Sequence, residues 1–240
     1  MRTWRDKLIA VVDTETTGLD PAVDCVVEIG VAIAALEDGG ARVVQSRSWL
    51  VRPRGGRAIP AAATAVHGIT DADAAKGGPF PEVLAAVVAL VGPDAVLAGY
   101  NARFDRAMLI AGCLAEGCAV PYWLTGGERG AWIDVLAWAQ AHDPYAKGKG
   151  RHKLGAVAAR LGVEVSTAHR AAGDAETAAR VLGALAALAD EVTGSRWMPT
   201  SLDTVVTCQR IHTAEREANF LRWLQRQPPL PDSTPKDPAA

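Results

Sequence analysis

Three apolar segments close together near the N-terminus constrain the fold more than any other feature of the chain. Residues 7–12 (KLIAVV) form a continuous apolar run that ends in acids. Residues 26–36 (VVEIGVAIAAL) are rich in β-branched side chains, and 42–51 (RVVQSRSWLV) alternate apolar with polar. All three read as strands, the first as a buried one. Glu37-Asp38-Gly39-Gly40 is a hairpin turn signal between the second and the third. Short connections of this kind predict an antiparallel meander. Downstream the pattern changes to a helix over 80–91, a strand over 95–100 and a helix over 104–116. Further helices are expected at 132–141, 153–161 and 172–192. A run of strands followed by alternation of helix and strand predicts an α/β architecture with a mixed sheet flanked by helices. The segment between, residues 52–78, reads as a long irregular connection, and long ordered loops are disproportionately functional.

Character changes again near Gly194. Residues 194–201 (GSRWMPTS) read as a linker. From 202 to 226, Leu202, Val205, Cys208, Ile211, Ala214, Ala218, Leu221 and Leu224 recur in steps of three and four, which predicts an amphipathic helix. The tail from 227 to 240 is Pro-rich and expected to be disordered. The expected organisation is one domain over 1–193, a linker and helix over 194–226, and the tail. The 25 Lys and Arg against 27 Asp and Glu give a formal net charge of −2. That excludes holding nucleic acid by bulk positive charge, but not handling it at one local site. None of the four cysteines forms a CxxC pair, and no His/Cys cluster has zinc spacing, so reduced thiols are expected. Neither a secretory signal nor a membrane-length apolar run is present, and a cytoplasmic protein with no membrane partner is expected.

Three clusters carry chemistry. Asp13 and Glu15 stand two apart at the end of the first apolar strand, so their side chains share a face. Two like charges at the edge of a core are unfavourable unless a cation neutralises them, and hard divalent ions prefer carboxylate oxygens. Asn101-Ala102-Arg103-Phe104-Asp105 follows directly on a strand, where Asn101 or Asp105 also suits a helix cap. His169-Arg170-Ala171-Ala172-Gly173-Asp174 runs into the last long helix, with Asp174 expected in its first turn facing the core.

Together, DxE, NxxFD and HxAxxD in this order resemble the three signatures of the DEDDh 3′→5′ exonucleases, the DnaQ-like superfamily. The resemblance covers roughly residues 5–193. Residues 59–70 (IPAAATAVHGIT), 132–136 (WIDVL) and 152–163 (HKLGAVAARLGV) resemble further stretches of that family. It implies a ribonuclease H-like fold with a five-stranded mixed sheet. It also implies that Asp13, Glu15, Asp105 and Asp174 bind two divalent ions, Mg²⁺ with Mn²⁺ as substitute, with Asp13 shared between them. His169 would then be the general base. A sister family carries tyrosine one position nearer the last acid; here that position is Arg170. Thr16, Thr17, Val66, His67, Asn101 and Phe104 are the expected contacts to the terminal nucleotide.

Two basic runs, Arg42/Arg47/Arg52/Arg54/Arg57 and Lys147/Lys149/Arg151/Lys153, are candidates for holding phosphates or are simply solvated faces. Trp132 and Trp138 are expected in the core. The expected substrate is nucleic acid with a free 3′ end, single-stranded DNA ahead of RNA. Two alternatives stand beside it: an RNA-trimming enzyme like RNase T or oligoribonuclease, and a non-catalytic subunit of a polymerase complex. The C-terminal helix is expected to dock a polymerase or a second copy of the chain, or to pack back on its own domain.

Overall fold

The computed structural model describes residues 3–125, 132–146, 148, 150–166, 169–191 and 201–225. In chain order the elements are β1 (Ile9–Thr16), β2 (Val26–Glu37), β3 (Gly40–Leu50), α1 (Ala61–His67), α2 (Asp71–Ala74), α3 (Phe80–Val91), β4 (Val96–Gly99), α4 (Ala102–Glu116), α5 (Tyr122–Thr125), β5 (Trp132–Asp134), α6 (Val135–His142), α7 (Leu154–Arg160), α8 (Ala171–Glu191) and α9 (Leu202–Gln225). The strands form one sheet in the order β3-β2-β1-β4-β5. The first three run antiparallel as a meander, and β4 and β5 lie parallel to β1. This is the mixed five-stranded sheet of the ribonuclease H-like fold.

Strand alternation divides the core into two layers. Ala10, Val12, Ile29, Val31 and Ile33 face α3 and α4, packing on Phe80, Leu84, Met108 and Leu109. Ile9, Val11, Ala32 and Ala34 face the other way, onto Ala175, Ala178, Val181 and Leu182 of α8. Because both faces are covered, β2 is buried over nine consecutive residues. The layer against α8 is thin because small side chains line it. At Gly30 a Cβ would stand 2.1 Å from the backbone of Ala171, so the start of α8 rests directly on the sheet.

Four sequence expectations change. β1 runs four residues further than the apolar segment, so the strand that carries Asp13 and Glu15 continues to Thr16. Residues 132–134 are a strand, not the first turn of a helix. Two apolar residues, Trp132 and Ile133, are too few to show a period that separates the two. Asp134 makes the break, accepting the N–H groups of Leu136 and Ala137 as the cap of α6. Residues 52–78 are not wholly irregular, since they carry α1 and α2.

The fourth change concerns α9. Its amphipathic stripe is buried only at the start: Val205 and Val206 are buried, whereas Ile211, Ala214 and Ala218 are exposed. The first half packs back on the domain against α6 and β5. Gln209 Nε2 donates to Trp132 O at 2.7 Å, and its Oε1 accepts from Asp134 N at 3.1 Å. One side-chain amide thus satisfies an edge strand as a neighbouring strand would. The linker at 194–200, the tail from 226 and the side chains of Leu221 and Leu224 lie outside the described residues. As expected, Trp132 is in the core, with Nε1 donating to Trp123 O, and Trp138 is half-buried edge-on to Trp4. All four cysteines are free thiols.

Candidate active site

The site forms where β1 leaves the sheet between α4 and α8. Asp13 pairs with Gly30 across β1 and β2. Since Gly30 touches Ala171 and Ala172, Asp174, one turn further along α8, comes down beside Asp13 and Glu15. Ligand oxygens of these three acids lie within 4.8 Å of one another. Asp105, almost fully buried in the first turn of α4, approaches from the other side of β1. Its Oδ1 accepts from the Thr14 amide at 2.9 Å and the Thr14 hydroxyl at 2.8 Å. The sequence brings all four acids to one place.

Burial is the first cause of unfavourable charge there, and mutual repulsion the second. Desolvation, then Asp105, Asp174, Glu15 and Glu28, push the Asp13 carboxyl well above its ordinary range. Burial and Asp174 raise Glu15 to about 7. Burial raises Asp105 to about 7 against the lowering effect of Thr14. Burial also raises Asp174, with the His169 charge and backbone N–H opposing it. An all-oxygen donor set under such strain suits hard divalent cations, which would neutralise it.

His169 is exposed on the rim, and its backbone N–H donates to the Asp174 carboxylate. Asn101 and His169 are the described non-glycine residues with left-handed φ, at 67° and 57°. Such backbone persists where surroundings hold it, often at functional sites. Asn101 is exposed; half-buried Phe104 shares an open groove with it along α4.

Other expected contacts are placed differently. The Thr16 hydroxyl donates to Gly18 O, and the Thr17 hydroxyl donates to Asp24 while accepting from Cys25 N. These groups brace the loop after β1. Val66 is exposed on α1. His67 is buried, its Nδ1 accepting from Ile69 N at 3.0 Å. In the basic runs, Arg47 stacks over Trp49, Arg52 donates to Gly77 O and Arg54 to Ala115 O, while Arg42, Arg57, Arg151 and Lys153 are exposed. Lys147 and Lys149 lie outside the described residues.

Sequence reasoning passed over Thr14 and Glu28. Thr14 alternates to the opposite face from its two neighbours, a position strand periodicity does reveal. Glu28 had a signal too: one acid in an otherwise apolar strand must find a partner. Its partner is Arg170, whose Nη2 and Nε donate to the two Glu28 oxygens at 2.6 and 3.1 Å.

His67 yields a stability prediction. Burial lowers its pKa below the ordinary 6.5. The folded state therefore takes up a proton less readily than the unfolded chain. Stability is full above about pH 6.5 and falls as the pH drops through that value toward the lowered one. Urea midpoints measured at about pH 7.5 and about pH 5.5 are expected to differ less in His67→Gln than in the unmodified chain.

A sheet of this order brings acids together at the end of its central strand, where Asp13, Glu15 and Asp174 could hold a metal ion. The RNase_T family profile, described as "Exonuclease", matches residues 10–182, and the chain belongs to that family. It is 32% identical over 166 residues to the DNA polymerase III epsilon subunit of Treponema pallidum, covering 68% of this chain and 69% of that protein. It is 30% identical over 182 residues to the PolC-type DNA polymerase III of Thermotoga maritima. There the match covers 75% of this chain but only 12% of the relative, so the chain spans about an eighth of that polymerase. Among solved structures it resembles exonuclease X in complex with 5′ overhanging duplex DNA, with 27% identity, a TM-score of 0.55, and coverage of 82% of this chain and 99% of that one.

Proposed function

We propose that the chain is a 3′→5′ exonuclease that removes nucleoside 5′-monophosphates from the 3′ end of DNA, single-stranded ends preferred. The convergence of Asp13, Glu15 and Asp174 within 4.8 Å, with buried Asp105 beside them, carries this reading. These four acids would hold two divalent ions, Mg²⁺ or Mn²⁺. Such ions, when bound, activate a water and stabilise the leaving oxygen of an in-line displacement. Thr14 orients the Asp105 carboxylate. Asp174, through the His169 amide, fixes the turn that carries the imidazole. His169 takes the proton of the attacking water as general base, histidine being the side chain that ordinarily titrates near neutrality. Phe104 and Asn101, which line an open groove on α4 beside Asp105, would contact the terminal nucleotide, with Phe104 offering a face on which a base stacks.

The names of the relatives support DNA: an epsilon subunit, a polymerase of PolC type and an exonuclease bound to duplex DNA. The role is then proofreading, repair or degradation in the cytoplasm; among the described residues no helix is long and apolar enough to cross a membrane. The exposed residues 214–219 of α9 support a further use of that helix toward a polymerase or a second copy.

Matched DNA and RNA oligonucleotides, single-stranded and duplex and labelled at either end, test the proposal in one assay with Mn²⁺. Mononucleotides are expected from the 3′ end of single-stranded DNA first. Faster cleavage of RNA would make the enzyme an RNA-trimming one. Failure on both polymers would leave the non-catalytic subunit.

A further inference from the structure

Glu28 is fully buried on β2, directly opposite Glu15 on β1 and on the same face of the sheet. A carboxylate in that place invites assignment as a further metal ligand. Its hydrogen bonds say otherwise. Oε1 accepts from Arg170 Nη2 at 2.6 Å, and Oε2 from Arg170 Nε at 3.1 Å and from Ala171 N at 3.0 Å. The Ser48 hydroxyl donates a fourth bond. Both oxygens are thus occupied, and the charge is matched by a guanidinium in a two-point fork.

Three of the four donors belong to the two residues that follow His169. His169 itself has φ 57°, a conformation L side chains rarely adopt. It is held on one side by the Asp174 carboxylate through its own N–H, and on the other by the anchoring of Arg170 and Ala171 to β2. Gly30, two residues along β2, lets the start of α8 sit close enough for the Ala171 bond. We infer that Glu28 and Arg170 are a positioning pair that sets the His169 imidazole over the acidic cluster, rather than a fifth metal ligand and a phosphate contact. The inference rests on the proposed role of His169 as general base.

A double-mutant cycle on the full chain tests it, reading hydrolysis of a 3′-labelled single strand and Mn²⁺ binding by calorimetry. Glu28→Gln keeps the volume and one acceptor, and half-exposed Arg170 can turn to water. It is expected to lower kcat by about 10–100-fold with KM and Mn²⁺ affinity nearly unchanged, since misplacing a reacting group by an ångström has that effect. Arg170→Lys keeps the charge without the fork and is expected to fall between. In a His169→Ala background, Glu28→Gln is expected to add less than about twofold, because the route through the imidazole is already gone. Equal losses in both backgrounds, a rise in KM alone, or a loss of Mn²⁺ affinity would overturn the inference. Should Glu28→Gln fail to fold, Arg170→Lys carries the same cycle. Unmodified protein without nuclease activity, or His169→Ala as active as the parent, would instead overturn the proposed function beneath it.

Discussion

Asp13→Asn is expected to abolish nuclease activity while making the metal-free protein more stable. The activity loss follows from the place of Asp13, paired with Gly30 in the middle of the acidic cluster and within ligand distance of Glu15 and Asp174. Metal stabilisation of a transition state is worth several kcal/mol, and about 4 kcal/mol is a factor of about 10³. The stability gain has the opposite origin. Burial, and then the charges of Asp105, Asp174 and Glu15, hold the Asp13 carboxyl well above its ordinary value. A group with a raised folded pKa supports folding fully below its unfolded pKa and loses that support as pH rises through the folded one. With Glu15 and Asp105 at about 7, the metal-free chain is expected to weaken between about pH 4 and about pH 8. Asparagine removes one of the repelling charges. Thermal melts in chelator at about pH 7.5 are expected to show a higher Tm for Asp13→Asn, and addition of Mg²⁺ is expected to raise the Tm of the parent far more than that of the variant. A variant that remains active, or a metal-free Tm lower than the parent's, contradicts this account.

His169→Ala is expected to reduce kcat by about 10²–10⁴-fold, the usual contribution of a positioned general base. Divalent binding is expected to survive, since His169 is exposed on the rim and engages Asp174 through its backbone amide, which alanine retains. The left-handed φ at this position adds a mild strain that alanine relieves no better than histidine. The two variants therefore separate: Asp13→Asn loses Mn²⁺ affinity and turnover together, whereas His169→Ala loses turnover alone. A Mn²⁺ titration run beside the kinetics distinguishes them. If His169→Ala lost metal affinity as well, the imidazole would be acting in the acidic cluster and not on the water.

Much of the fold was legible because strands and helices announce themselves by local periodicity. The meander β1–β3, the helices α3 and α8 and the strand β4 all follow from spacing and β-branched content. β5 did not, because two apolar residues and a capping acid before a helix look like its first turn until a partner strand is present. The extent of α9 was legible, but not the short part of it that is buried. Its later apolar positions Ile211, Ala214 and Ala218 keep the spacing without a surface to cover. At the site, the four acids and His169 were legible as motifs. Thr14 and Glu28 were not singled out, since a threonine and one glutamate in strands have no motif of their own.

What the sequence alone determined is the pairing of Asp13 with Glu15 on one face. That rests on covalent geometry, for alternate residues of any strand point the same way. What only the tertiary structure decided is how Asp174, more than 150 residues later in the chain, reaches them. That needs α8 to approach β2 so closely that nothing larger than hydrogen fits at Gly30. The same approach brings Ala171 and Arg170 onto Glu28. A close contact between backbones depends on the absence of a side chain, and an absence has no periodicity by which to be read.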